Sequence, residues 1–227
     1  MAALVRARIY RALEAPRSLT VRSKEEQRPK PSDMWMIRAV HRYFADSPFQ
    51  FEHFAADMWI NSDPHVASVE VTRPSRDGGR DAIGEFRIGP NEDPVRLQFA
   101  LEAKCYAPDA GGVGVKFVSR LARIKHREFG VFVTTAFVAA QAYQEVREDQ
   151  DPIVFMTGKD LVQVLRRMGL FDEKSLAAYL SMQYPLVPTE HRVGGVDVAW
   201  PEEPIPVDSA SELSGKPEGT PANEAKF

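Results

Sequence analysis

The sequence predicts an α/β fold, a central mixed sheet of about five strands flanked by helices. Three observations carry that prediction. Residues 95–104 (VRLQFALEAK) alternate, with Val95, Leu97, Phe99 and Leu101 on one parity and Gln98, Ala100, Glu102 and Lys104 on the other. That is the period of a strand with one apolar face. Upstream, Ala82–Ile88 reads as a partner strand, separated from it by Gly89-Pro90-Asn91-Glu92-Asp93-Pro94, a run of turn formers that predicts an antiparallel hairpin. Downstream, short apolar runs at Val131–Val133 and Ile153–Met156 alternate with stretches of helical period, and a helix between two strands predicts a parallel crossover.

Met1–Ala15 carries Arg6, Arg8 and Arg11 among apolar residues, a short basic helix that also resembles a transit peptide. Pro16–Pro31 mixes Arg, Lys, Glu, Gln and Pro without a period and reads as a linker. The domain proper is expected over residues 32–183. Ser32 caps a helix whose packing face is Met36, Ile37, Val40, Tyr43 and Phe44, and Ser47-Pro48 ends it. Phe51, Phe54, Ala55 and Met58 form the stripe of a second helix, and Val66–Val71 reads as the first strand. After the hairpin come a loop at Ala107–Gly114 and a helix over Val115–Glu128, which Gly130 stops. A helix at Val138–Glu148, broken by Asp151-Pro152, and helices over Lys159–Met168 and Glu173–Met182 complete the set. Residues 184–227, with seven prolines and many acids, are expected to be a disordered tail.

At 227 residues, 44% hydrophobic and 27% charged, the chain suffices for one domain with a sizeable core plus tails. No apolar run approaches the roughly 18 residues that mark a membrane span. The single cysteine, Cys105, forms no internal disulfide, leaves no CxxC metal site and fits a reducing cytoplasm. By parity it points to the apolar face and is read as packing. The net charge of −3 is uneven: from Pro185 on, eight acids stand against three bases, so the body is mildly basic, which is compatible with nucleic acid as a partner. No Ser/His/Asp or Cys/His arrangement competes for a catalytic role.

The chemistry concentrates between Arg76 and Tyr106. Glu102 and Lys104 lie side by side on one face of their strand, and the hairpin brings Asp81, at the start of the partner strand, to the same end. Gly78-Gly79 ahead of Asp81 lets the chain turn sharply and approach a ligand. Two carboxylates at a strand end suit Mg2+, which keeps several waters and takes phosphate oxygens, and a lysine two residues on can sit beside an attacking water or a scissile phosphate. A Glu and a Lys on a half-buried strand also form ordinary solvated ion pairs, so the ExK spacing alone is weak. Further on, Lys116, Arg120, Arg123 and Arg127 are spaced four, three and four residues apart and form one basic stripe of a helix. It reads either as a phosphate-binding face or as a solvated face paired with local acids.

The pieces FEHFAADMW, DGGRDAIG, LEAKCY, FGVFVTT, QAYQEVRED and TGKDLVQVL, spread over residues 51–168, resemble the Mrr-like branch of the PD-(D/E)xK nucleases, closest to the catalytic domains of MspJI-like modification-dependent restriction enzymes. Members of that branch often carry Gln where this chain has Glu102, which brings it nearer the ExK of the wider superfamily. The resemblance implies a restriction-endonuclease-like core and Mg2+-dependent hydrolysis of DNA phosphodiester bonds, with Mn2+ able to substitute. Asp81 and Glu102 would bind the metal, Lys104 would act on the nucleophile or the phosphate, and Glu52, on its helix, would be either an accessory acid facing the site or an ordinary solvated helix glutamate. A restriction or defence role is expected, with a repair or recombination nuclease, or a non-cleaving DNA-binding module, as alternatives. A homodimer is compatible with the sequence. Enzymes of the MspJI type read modified cytosine with a separate domain, and the 50 residues ahead of Phe51 are too few for one, so such reading is expected to come from a partner chain or to be absent.

Overall fold

The computed structural model describes residues 21–72, 80–122 and 128–186. The expected basic N-terminal helix, the acidic tail from residue 187 on, Gly78-Gly79, Arg123 and Arg127 lie outside the described residues, as does the side chain of Arg120.

Five strands form one sheet in sequence order: β1 (Val66–Val71), β2 (Ala82–Ile88), β3 (Val95–Lys104), β4 (Phe129–Thr134) and β5 (Ile153–Met156). The pairs β1–β2 and β2–β3 are antiparallel, while β3–β4 and β4–β5 are parallel. This is the mixed, helix-flanked sheet that the sequence predicts. The β2–β3 register runs from Ile88↔Val95 to Ala82↔Leu101, so the hairpin loop is the turn-forming stretch 89–94. Gly84 allows this hairpin to pack, because a Cβ there would collide with the Ser68 carbonyl oxygen and the Phe99 ring.

Side-chain alternation splits the core into two layers. Phe99, Leu101, Ala103, Val131, Val133 and Met156 pack on one face against α2 (Met34–Phe44), α3 (Pro48–Ser62), α6 (Gly158–Arg167) and α7 (Glu173–Gln183). Ala100, Phe132, Ile153 and Phe155 pack on the other against α4 (Val115–Ala122) and α5 (Ala140–Glu148). Cys105 packs against the first layer, as its parity predicts. Ser47-Pro48, read as the end of α2, also opens α3, with Pro48 in the first turn, where its missing N–H costs nothing. No helix among the described residues is long and apolar enough to cross a membrane.

The stretch read as a linker is packed from Arg22 on. A four-residue helix, α1 (Lys24–Gln27), is closed by a Ser23–Glu26 capping box. Gln27 is 1% exposed. Its side-chain Nε2 donates to the Val138 carbonyl at 3.1 Å and its Oε1 accepts from the Val138 N–H at 2.9 Å, so one amide stands in for a strand partner. Arg22 donates to both oxygens of Asp160, at 3.0 and 2.9 Å, and to the Phe155 carbonyl at 2.9 Å. These hydrogen bonds, rather than an apolar stripe, hold the segment down, which is why periodicity does not reveal it.

Candidate active site

The site lies at the C-terminal end of β3, a strand paired on both edges. Ala82 is paired with Leu101, so Asp81, one residue upstream, lies opposite Glu102, and residues opposite one another across an antiparallel pair share a face. The Asp81 N–H donates to the Leu101 carbonyl at 3.0 Å. The next rung is made by the side chain, with the Ala103 N–H donating to Asp81 Oδ2 at 2.7 Å. The carboxylate is thereby fixed in direction by the strand it faces.

Lys104 closes the arrangement. Its Nζ lies 3.2 Å from Asp81 Oδ2 and 3.4 Å from Glu102 Oε1, and donates to the Ala103 carbonyl at 2.9 Å. Three oxygens from two strands converge on one ammonium. Glu102 is 1% exposed, and the side chains of Asp81 and Lys104 only 12% and 25%. A solvated surface ion pair, the alternative left open by the ExK spacing, does not look like this. Burying two carboxylates costs several kcal/mol of desolvation unless a cation is held against them, to order of magnitude, and here Lys104 is such a cation.

Glu52 reaches the same place from α3, which packs on β1 and β3. Burial first, then the negative charge of Asp81, push its carboxyl up to about 7, against the opposing pull of Lys104. The folded protein therefore holds a proton that the unfolded chain has already lost above its ordinary value of 4.5. Stability from this group is present in full below that value and is lost as pH rises through about 7. Glu52→Gln is accordingly expected to flatten the dependence of Tm on pH between about 5 and 8 in metal-free protein and to raise Tm at the alkaline end. Thermal melts across that window check it; a variant that tracks the wild type throughout would mean Glu52 is not desolvated.

Asp81, Glu102, Lys104 and Glu52 are thus brought together. Of the basic stripe, Lys116 stands exposed on α4, and Arg120 belongs to the same helix. Two supporting features have no counterpart in the sequence reading. Ala103 contributes both its N–H and its carbonyl to the cluster. Asp109, in the loop after Lys104, accepts from Arg28 at 2.7 Å and Arg38 at 2.8 Å, while the Tyr106 carbonyl accepts from Thr135 Oγ1 at 2.6 Å. The loop is anchored rather than a free connector. Its arginines are 81 and 71 residues away in sequence, so no local pattern announces them.

The donor set fits a hard divalent cation, since the converging ligands are all oxygen and two are carboxylates. Among the described residues no three His, Cys, Asp or Glu side chains form a ligand group. A cation held by Asp81 and Glu102 would complete its shell with water and phosphate oxygens, as Mg2+ does.

A family model described as a restriction endonuclease, Mrr catalytic type, matches residues 45–165, a range that holds all four clustered residues. Among solved structures, the DNA modification-dependent restriction endonuclease AspBHI is 48% identical, with a TM-score of 0.67 over 74% of this chain and 44% of that one. The MspJI restriction endonuclease in complex with a 27-mer oligonucleotide is 27% identical, with a TM-score of 0.61 over 72% of this chain and 38% of that one. No curated protein matches. The chain spans less than half the length of either solved relative.

Proposed function

The chain belongs to the Mrr-like family of restriction endonucleases, and on that premise we propose that it is a Mg2+-dependent DNA endonuclease domain with a restriction or defence role. The observation that carries the reading is the convergence of Asp81 Oδ2, Glu102 Oε1 and the Ala103 carbonyl on the Lys104 ammonium, within the family-matched residues.

When bound, Mg2+ would supply Lewis acidity toward the phosphate and the attacking water, chemistry that no side chain in the cluster supplies alone. Asp81 and Glu102 would hold the cation. Lys104 Nζ, at the edge of the carboxylate pair, donates toward the phosphate oxygen on which charge grows or toward the attacking water. The Glu52 carboxyl, poised near neutrality, positions that water by hydrogen bonding and can take its proton. The oligonucleotide bound by MspJI supports DNA as the substrate class, and Lys116, with the arginines that follow it, is the proposed contact to phosphates away from the cleaved bond. Reading of target sequence or base modification is assigned to residues or chains beyond this cluster, and a homodimer would place two such sites on the two strands of a duplex.

Plasmid cleavage tests the reading. Supercoiled DNA is expected to be nicked or linearised with Mg2+ or Mn2+ and to stay intact in EDTA, with methylated and unmethylated plasmid compared side by side. DNA that is bound but uncut with every metal would make the chain a non-cleaving binding module. Cutting that depends on DNA ends or branches rather than on sequence or modification would favour a repair nuclease.

A further inference from the structure

Beside the catalytic strand, α2 turns a basic face to solvent. Met36, Ile37, Val40 and Phe44 are fully buried, and at about 3.6 residues per turn the opposite side of the helix carries Arg38 and Arg42, both exposed. Two contacts place this helix next to the site. The thiol of Cys105, the residue after Lys104, donates to the His41 carbonyl at 3.8 Å. Asp109 accepts from Arg38 Nε at 2.8 Å and Nη2 at 3.2 Å, and from Arg28 Nη2 at 2.7 Å. Asp109 comes five residues after Lys104, so at most about 18 Å of chain separates the two. The two-pronged bond fixes the plane of the Arg38 guanidinium. Its Nη1 takes no acceptor among the described residues, and the side chain is 50% exposed. Arg42 pairs with no carboxylate among the described residues. Against Arg28, Arg38 and Arg42 stand Asp109 and, one turn past Arg42, Asp46, so the face stays positive.

We infer that Arg38 and Arg42 bind DNA phosphates that flank the cleaved one. The inference rests on the DNA-endonuclease reading and deepens it. A strand whose phosphate reaches Asp81 and Lys104 crosses the C-terminal end of β3. There α2 lies in one helical layer and α4, with Lys116 exposed, in the other, so basic groups stand on both sides of the crossing. At about 3.4 Å of rise per nucleotide, a separation of about 18 Å is covered within about five nucleotides. A guanidinium already held in one plane loses little freedom on meeting a phosphate, and its free edge matches phosphate oxygens. An ion pair that only tied the loop to the body would need one arginine, and Arg28 already reaches Asp109 at 2.7 Å. Such an anchor would also leave Arg42 without a role. Contacts to phosphates position the duplex and read no bases, so they add affinity for every sequence alike.

Binding of a short DNA duplex in Ca2+, titrated against KCl, tests it with wild type, Arg38→Ala, Arg42→Ala, the double variant and Asp109→Ala, each also melted. Each lost phosphate contact takes about 0.9 from the slope of log K against log salt. Each arginine variant is therefore expected to bind about eight-fold more weakly at about 0.1 M salt and the double variant about sixty-fold, the differences vanishing toward about 1 M. Methylated and unmethylated duplexes should lose affinity alike. Asp109→Ala keeps both arginines and should keep the slope. A wild-type slope and Kd in Arg42→Ala and in the double variant would overturn the inference, and cleavage by the wild type would leave the nuclease reading standing. Equal falls in Tm for Arg38→Ala and Asp109→Ala, with no change of slope in either, would also overturn it and reduce the pair to a loop anchor. A wild type that never cuts, with slopes that fall in the arginine variants, would keep the phosphate contacts and remove the nuclease reading. If the wild type neither binds nor cuts DNA, both fall.

Discussion

Lys104→Ala is expected to abolish DNA cleavage, by about a thousand-fold or more in kcat, and to destabilise the metal-free protein as well. The two effects share one cause. The ammonium sits within 3.4 Å of oxygens from both Asp81 and Glu102, so its removal takes away transition-state charge stabilisation and leaves two carboxylates, one of them 1% exposed, facing each other with less compensation. Breaking a fully buried pair costs about 3–5 kcal/mol. Because Lys104 keeps 25% of its side chain exposed, the cost here is smaller, roughly 2 kcal/mol, or a fall in Tm of about 4–8 °C for a chain of this size. Mg2+ or Ca2+ should restore much of that Tm, since a divalent ion between the carboxylates replaces the lost charge, but should not restore cleavage. Circular dichroism melts with and without metal, beside plasmid assays, read both arms. Wild-type nicking by Lys104→Ala would remove the assignment of this cluster as the active site.

That stability arm follows from burial, which marks the line between what the sequence discloses and what it does not. The alternation of Val95 to Lys104 and the turn formers at 89–94 suffice to place Asp81 opposite Glu102, because a hairpin with a known turn has one register. The depth of Glu102 is a different matter. It is buried because β4 pairs with the free edge of β3, setting Phe132 beside it, and that pairing joins residues 30 positions apart whose own sequence shows only a short apolar run. The N-terminal segment was hidden for a related reason. Gln27 and Arg22 reach partners 111 and 138 residues away through hydrogen bonds that need no hydrophobic period. The one local sign was Ser23-x-x-Glu26, a capping box that marks a helix start in a stretch otherwise read as linker. Pro48 misleads in the opposite way, since the same residue ends one helix and opens the next. The basic stripe stays a sequence-level expectation at Arg123 and Arg127, which lie outside the described residues.

Tyr184 gives the other large effect: Tyr184→Ala is expected to lower stability by about 3–5 kcal/mol, as deletion of a buried large aromatic does. Tyr184 follows α7 and is 2% exposed. Its ring meets Phe44 and Phe54 edge to face, with centroids 5.6 and 5.7 Å away, tying α7 to α2 and α3. Its hydroxyl donates to Asp57 Oδ2 at 2.6 Å and shares a bond with the Tyr179 hydroxyl at 3.1 Å, while its carbonyl accepts from the Tyr43 hydroxyl at 2.7 Å. Burial, with Asp57 beside it, pushes the phenol far above its usual range, so it stays a donor at every working pH. A chain ending after Gln183 should therefore melt about 10 °C or more below the full-length protein, and Tyr184→Phe, which strands the Asp57 carboxylate but keeps the ring, should lose roughly 1–3 kcal/mol. A chain ending after Val187 should melt close to full length, since the acidic, proline-rich composition beyond it offers little apolar area to bury. Differential scanning calorimetry on these four chains decides the matter. An equal fall in Tm for the chains ending after Gln183 and after Val187 would move the boundary of the folded core into the tail, and a harmless Tyr184→Ala would mean that α3 and α7 are held together without it.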